Sequence, residues 1–377
     1  MRLARLLLVG GVVSLLALAA LAKAPTATNE ASPPIASADN PVGSADNPVA
    51  SADRTEPQRR RYEQVEMGMP FEILLYSADP EAANRAAAAA FARISDLNRI
   101  MSDYDSTSEL SRLSDTAGQG KAVRVSGDLW LVLSRAQKLS AETDGAFDVT
   151  VGPYIKLWRR ARRAKEMPSP ERLAEARAAV GYKALKLDPQ AHTAELLKPG
   201  MRLDLGGIAA GYAIDEAMKV LAEHKITRAM IDGSGDIVVG DPPPGKLGWR
   251  IELPKSAGKN SGPKSTASRY LLVRNCSVTT AGDDFQFVEL DGRRYSHIVD
   301  PRTGLGMTDH SSVVIIAPDG MTADSLDTAV SVLGPKPGLA LLEKYRGAEA
   351  LITQRQGVRV ETVESSGFAK YIVKEKP

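Results

Sequence analysis

Between residues 81 and 102, apolar side chains return at three- and four-residue steps (Phe91, Ile94, Leu97, Met101), the spacing that lines one face of a helix. The same period predicts a helix through Leu129, Val132, Leu133, Ala136 and Leu139, and another through Ile214, Ala217, Met218 and Leu221. A further helix is predicted over 321–333. Short β-like runs at 71–76, 229–232, 236–239, 249–253, 270–274, 285–290, 295–299 and 311–316 are separated by several hairpin-length gaps. Strands and helices alternate irregularly, which predicts a mixed-sheet α+β body rather than a doubly wound parallel sheet. Residues 255–268, rich in Gly, Ser and Lys, read as a surface loop.

Residues 25–61 carry no such period. They are poor in bulky apolar side chains and hold a near repeat, Ser-Ala-Asp-Asn-Pro-Val at 37–42 and again at 44–49, which predicts a disordered linker. Ahead of it, Arg2 and Arg5 precede an apolar run from Leu6 to Leu21, with small-x-small cleavage candidates at 20–22 and 22–24. Residues 1–24 therefore read as a secretory signal peptide, and the expected location is exported, periplasmic. The run is short for a membrane span, so membrane association is expected only if the segment is retained. The linker would then hold the body roughly 30–40 Å from the bilayer by random-coil scaling. No cysteine follows the run, which argues against a lipoprotein anchor. The globular body is expected over 62–377.

Charge excludes one class of partner. The formal net charge of +2 includes Arg2, Arg5 and Lys23, so loss of the signal segment would leave −1. Nothing marks a polyanion-binding surface, and nucleic acid is not expected as a partner. Cys276 is the only cysteine and has no internal disulfide partner, so an exported body must be held by its core or by a ligand.

Several stretches carry candidate chemistry. At 203–211, Leu-Asp-Leu-Gly-Gly-Ile-Ala-Ala-Gly runs from a strand-like segment at 201–205 into a helix beginning near Ile208. Glycines at such a junction let backbone N–H groups approach an anion at the helix N-terminus. The spacing fits neither G-x-G-x-x-G nor a P-loop, so a plain strand-to-helix turn is the competing reading. Asp324 and Thr328 lie one turn apart on a helix face with Asp327 beside them: hard oxygen ligands suited to Mg²⁺, or a solvated helix start. His297 precedes the turn Asp300-Pro301-Arg302-Thr303-Gly304, where a histidine can act as general base or phosphate ligand and where a bare hairpin explains the turn residues alone. Residues 101–113 end a helix and present Tyr104. Residues 143–153 place Asp148 among small residues; both fit ordinary connections too.

Taken in order, these stretches resemble the ApbE family of FAD:protein FMN transferases. The resemblance is carried by Met67-Gly68-Met69, the Met-Ser-Asp-Tyr104-Asp block, Asp-Gly-Ala-Phe-Asp148-Val, Asp204-Leu-Gly-Gly-Ile-Ala-Ala-Gly, Gly-Ser-Gly-Asp236-Ile, His297-Ile-Val-Asp-Pro-Arg-Thr-Gly and Met-Thr-Ala-Asp324-Ser-Leu-Asp-Thr-Ala. It spans about Glu66 to the C-terminus. It implies a mixed-sheet, T-fold-like α+β body with FAD in a cleft between two subdomains. It also implies a Mg²⁺-dependent reaction in which FAD is cut at its pyrophosphate, AMP leaves, and FMN is joined to a Ser or Thr hydroxyl of an exported target flavoprotein. FAD contacts are implied at Met67, Tyr104, Ala146, Phe147, Asp148, Asp204, Ala210, His297 and Ile298. The metal is implied at the Gly207 carbonyl, Asp324, Asp327 and Thr328. A hydroxyl is a poor nucleophile, and a base near it is worth about 10²–10⁴-fold; His297 is the candidate.

Departures from the family pattern bear on affinity. Ala210 stands where the family commonly has Lys, Met69 where it has Thr, Ala281 where it has Ser, and Asp327 where it commonly has Ala. The metal and histidine blocks are kept while the edge that grips FAD is altered, which predicts retained chemistry with changed affinity or target choice. Two alternatives share the same residues: a Mg²⁺-dependent FAD pyrophosphatase yielding FMN and AMP, and a periplasmic FAD-binding protein without turnover.

Overall fold

A computed structural model of the chain describes residues 56–254, 269–282, 287–356 and 359–373. The expected signal peptide, most of the expected linker and the 255–268 loop lie outside the described residues. The helices are α1 (Pro80–Met101), α2 (Glu109–Ser114), α3 (Gly127–Glu142), α4 (Gly152–Ala164), α5 (Pro170–Ala179), α6 (Ala209–Glu223), α7 (Gly320–Leu333) and α8 (Pro335–Leu342). Eight antiparallel strands form the main sheet in the order Gln58–Glu66, Met69–Ser77, Ala229–Gly233, Asp236–Val239, Cys276–Gly282, His310–Ala317, Glu349–Gln356 and Arg359–Glu364. The α+β expectation holds.

Local signals explain most element starts. Asp79 accepts the N–H groups of Glu81 and Ala82 at 2.8 and 3.2 Å, and Pro80 occupies the first turn of α1, where its missing N–H costs nothing. Ser126 caps α3 and Asp319 caps α7. Half of the buried face of α1 is alanine (Ala83, Ala86, Ala87, Ala90), which allows close approach to α6.

The sheet is covered on both sides. Phe71, Ile73 and Leu75 belong to the large core that includes side chains of α1, α3, α6 and α7, whereas Leu74 belongs to a second cluster with Trp249, Leu271 and Phe368. Val313 and Ile315 alternate with Val314 and Ile316 in the same way, so the nearly continuous apolar run there marks a strand buried on both faces. A third, smaller core joins Tyr154, Trp158 and Ala161 of α4 and Ala176 of α5 to Val288, Leu290 and Tyr295 of the hairpin Phe287–Leu290/Arg293–Ser296.

Four expectations change. The first strand begins at Gln58, inside the segment read as linker, because Tyr62 and Arg60 are buried and the Tyr62 hydroxyl bonds Asn84 at 2.8 Å. Residues 201–205 are not a strand: their only ladder contact is a parallel bridge from Arg202 to Val151, and the Asp204 N–H bonds Val149 at 2.8 Å. The run 295–299 is broken at His297 and Ile298, where the Ser296 hydroxyl accepts the Ile298 N–H at 3.2 Å in place of a ladder partner. The strands Cys276–Gly282, Glu349–Gln356 and Arg359–Glu364 were not anticipated; the first is rich in Ser and Thr and takes its place through two flanking strands rather than by apolar period.

Candidate functional site

Helices α6 and α7 cross at glycines. A Cβ on Gly211 would lie 2.2 Å from the Gly320 carbonyl oxygen, so only glycine permits this approach. The Gly211 N–H donates to Asp324 Oδ2 at 2.9 Å, and Asp215 accepts the N–H groups of Gly320 and Met321 at 2.7 and 2.9 Å. Each helix thus supplies a carboxylate to the other's N-terminal donors, the stabilising sense for a helix dipole. One turn earlier, a Cβ on Gly207 would lie 2.6 Å from the Thr328 Oγ1, so the glycine loop is pressed against the face of α7 that carries Asp324 and Thr328.

The glycine loop has the internal bonding of a tight turn. The N–H of Gly206 bonds Asp204 at 2.9 Å, those of Ile208 and Ala209 bond the Leu205 carbonyl at 3.0 and 2.9 Å, and that of Gly211 bonds Asp324. Most of the donors that a phosphate would use already have protein partners. The loop is a tight turn whose backbone is held against α7, and its position beside Thr328 is what it contributes.

The acids at the crossing are costly to ionise. Burial, then Asp236, then Asp327 raise the carboxyl of Asp324 well above its usual range; burial and Asp236 do the same for Asp327. Asp236, at the start of the strand Asp236–Val239, is itself pushed up to about 7 by burial and by Asp232. The Thr279 hydroxyl faces Asp327 from the neighbouring strand without a well-formed hydrogen bond. Among the described residues no group of three His, Cys, Asp or Glu side chains has metal-holding geometry. Two carboxylates, the Thr328 hydroxyl and a backbone carbonyl still fit a Mg²⁺ ion, which takes few protein ligands and keeps several waters. The raised carboxyls are the supporting observation: buried acids with little local positive charge are what a bound cation would stabilise.

The second half of the site is organised by α4. Arg159 pairs with Asp103, reaches Asp204 at 3.2 Å, and lies over the Tyr104 ring at 4.0 Å. Burial and the nearby Asp103 raise the Asp204 carboxyl. On a neighbouring face of the same helix, the Trp158 indole donates to the Gly304 carbonyl at 2.8 Å, and the Tyr154 ring is so close to Gly304 that a Cβ there would meet it. Gly304 has φ +77°, and its N–H closes the turn onto the Asp300 carbonyl at 2.8 Å. The turn that follows His297 is therefore seated on α4. His297 itself is half-buried in the break between two strands, with Ile298 next to it.

Tertiary structure thus brings Tyr104 and Asp204 together, and separately gathers Gly207, Asp324, Asp327 and Thr328. Ala210 is buried in the first turn of α6, beside Gly211. Met67 occupies the turn between the first two strands with φ +50° and packs against the main core. Ala146 and Phe147 are buried, and the Asp148 carboxylate is fully engaged, accepting the Thr150 N–H and hydroxyl, each at 2.7 Å, and the Tyr182 N–H at 2.8 Å. Its side chain holds the loop that carries Ala146 and Phe147. Sequence reasoning missed Arg159, one of several arginines on a basic helix with nothing local to set it apart. It gave no role to Asp236, whose Gly-Ser-Gly-Asp hairpin turn was the available signal.

The fold is that of the flavin transferases. The solved flavin transferase ApbE from Vibrio cholerae superposes with a TM-score of 0.74 at 27% identity, covering 84% of this chain and 99% of that one. The Pseudomonas stutzeri flavinyl transferase ApbE in its apo form gives 0.73 at 28% identity, with 85% and 98% covered. The chain belongs to the ApbE family, whose model matches residues 67–352, and it is a transferase. The FAD:protein FMN transferase of Haemophilus influenzae is 34% identical over 287 residues, 74% of this chain and 80% of that protein. That of Treponema pallidum is 33% identical over 309 residues, covering 78% and 84%.

Proposed function

We propose that this chain transfers the FMN half of FAD to a Ser or Thr hydroxyl of an exported flavoprotein and releases AMP, working in the periplasm with Mg²⁺. The observation that carries the reading is the pair of buried carboxyls, Asp324 and Asp327, raised by burial and by Asp236 on a helix face pressed against the glycine loop. Asp324, Asp327, Thr328 and the Gly207 carbonyl would hold the ion. When bound, it offsets the charge that develops on the phosphate of the leaving AMP. Tyr104 and Met67 offer flat and polarisable surfaces to the ring system. His297 takes the proton of the acceptor hydroxyl as its oxygen bonds to the FMN phosphorus; the bond from that phosphorus to the bridging oxygen breaks, and AMP carries the oxygen away.

The test is intact-mass spectrometry of a flavoprotein acceptor incubated with the protein, FAD and Mg²⁺, beside chromatography of the nucleotides. A gain of one FMN unit with AMP released, both abolished by a chelator, is the expected result. FMN and AMP free in solution with no mass gain would make the protein a pyrophosphatase toward that acceptor, and FAD left intact would refute turnover.

A further inference from the structure

Arg159 makes more contacts than a structural ion pair requires. Tyr104 is 78% exposed, and a side chain that open ordinarily samples several rotamers; here one ring face is covered by the guanidinium at 4.0 Å, leaving the other free. The same guanidinium pairs with Asp103, the residue before Tyr104, and with Asp204, which also accepts the Gly206 N–H of the glycine loop. Burial, and then repulsion from Asp103, raise the Asp204 carboxyl, and the charge of Arg159 works against both. Without Arg159 an anionic dinucleotide would meet two uncompensated acids beside its ring platform. Ala210 adds no charge, and Arg159 is the cation paired with Asp204 at the head of the loop. The helix turn that carries it is anchored, because the adjacent Trp158 is buried and bonded to Gly304.

We propose that Arg159 is a positioning and affinity-determining residue for the dinucleotide: it fixes the Tyr104 ring to receive a planar ring on its open face and neutralises Asp103 and Asp204. This rests on the flavin-transfer reading and deepens it by assigning ligand capture, rather than the chemical step, to a residue of α4. A planar guanidinium serves both purposes, whereas lysine would keep the charge and lose the stacked geometry.

The test measures FAD binding by flavin fluorescence, with no acceptor present, for the full-length protein and for Arg159→Met, Arg159→Lys, Tyr104→Leu and the double variant Arg159→Met/Tyr104→Leu. Transfer kinetics and melting temperature are recorded for each. Arg159→Met is expected to weaken FAD binding by about tenfold or more, with kcat at saturating FAD within about threefold and the melting temperature within a few degrees. Arg159→Lys is expected to recover only part of the affinity. The double variant is expected to lose less than the product of the single losses, since Arg159 acts partly through Tyr104. Unchanged FAD affinity in Arg159→Met, strictly multiplicative losses in the double variant, or a fall in kcat that matches the fall in affinity would each overturn the proposal. Wild-type protein that binds no FAD would instead overturn the flavin reading itself, and this proposal with it.

Discussion

The Gly211 N–H donates to Asp324 Oδ2 at 2.9 Å, linking the first turn of α6 to a carboxylate on α7 across 113 residues of chain. A carboxylate held in this way is oriented before any ligand arrives, and the glycine is what lets the two helices come close enough. Gly211→Ala would gain helix propensity worth about 1 kcal/mol but would place a methyl 2.2 Å from a backbone oxygen that has no room to move. We expect a net loss of about 1–3 kcal/mol, read as a drop of several degrees in the melting temperature. A variant that melts at or above the wild-type temperature would show that the crossing is looser than described.

A divalent cation should stabilise the protein more at high pH than at low pH. The folded carboxyls of Asp236, Asp324 and Asp327 are raised above their unfolded values, so the stability they contribute is present in acid and lost as pH rises through the folded values, about 7 for Asp236. The metal-free protein should therefore lose stability between pH 5 and pH 8 from these groups. Saturating Mg²⁺ should restore it, by about 2.7 kcal/mol at a hundredfold excess over Kd and by less at pH 5, where protons compete. Asp327→Asn should flatten the pH dependence and shrink the Mg²⁺ response. A thermal-shift series with Mg²⁺ and with a chelator checks this, and an equal shift at both pH values would contradict it.

Replacing His297 by Ala separates binding from turnover. FAD affinity should be largely retained while transfer falls by at least about 10²-fold. Single-turnover kinetics beside equilibrium FAD binding provide the measurement. Transfer at the wild-type rate would remove His297 from the role of base.

The turn after His297 depends on Trp158. Trp158→Phe keeps most of the buried ring area but leaves the Gly304 carbonyl without its 2.8 Å partner. The expected cost is about 1–3 kcal/mol of stability, with kcat reduced because the segment carrying His297 loses its seat on α4. Chemical denaturation and transfer assays on the same preparation test both parts; unchanged denaturation would mean that the carbonyl finds another donor.

What the sequence determined by itself was whatever short-range periodicity and local chemistry can encode. Helices α1, α3 and α6 were legible from apolar residues at helical spacing, α7 from a mostly small and apolar run that is buried almost all round, and the strand His310–Ala317 because both of its faces are covered. Asp324 and Thr328 were legible as a pair because one helical turn separates them. Tertiary structure alone decided the rest, since it depends on contacts between segments distant in sequence. Cys276–Gly282 became a central strand by pairing on both edges, and 201–205 failed to become one because only Arg202 found a ladder partner. The donors of the glycine loop were assigned by Asp324 and Leu205, Asp148 was committed to Thr150 and Tyr182, and Asp236 was brought to the acids of α7. Arg159 was one basic residue among many along its helix. Folding gave it Tyr104, Asp103 and Asp204, because the register of α4 buries Trp158 on one face and thereby aims the next side chain at the other half of the site.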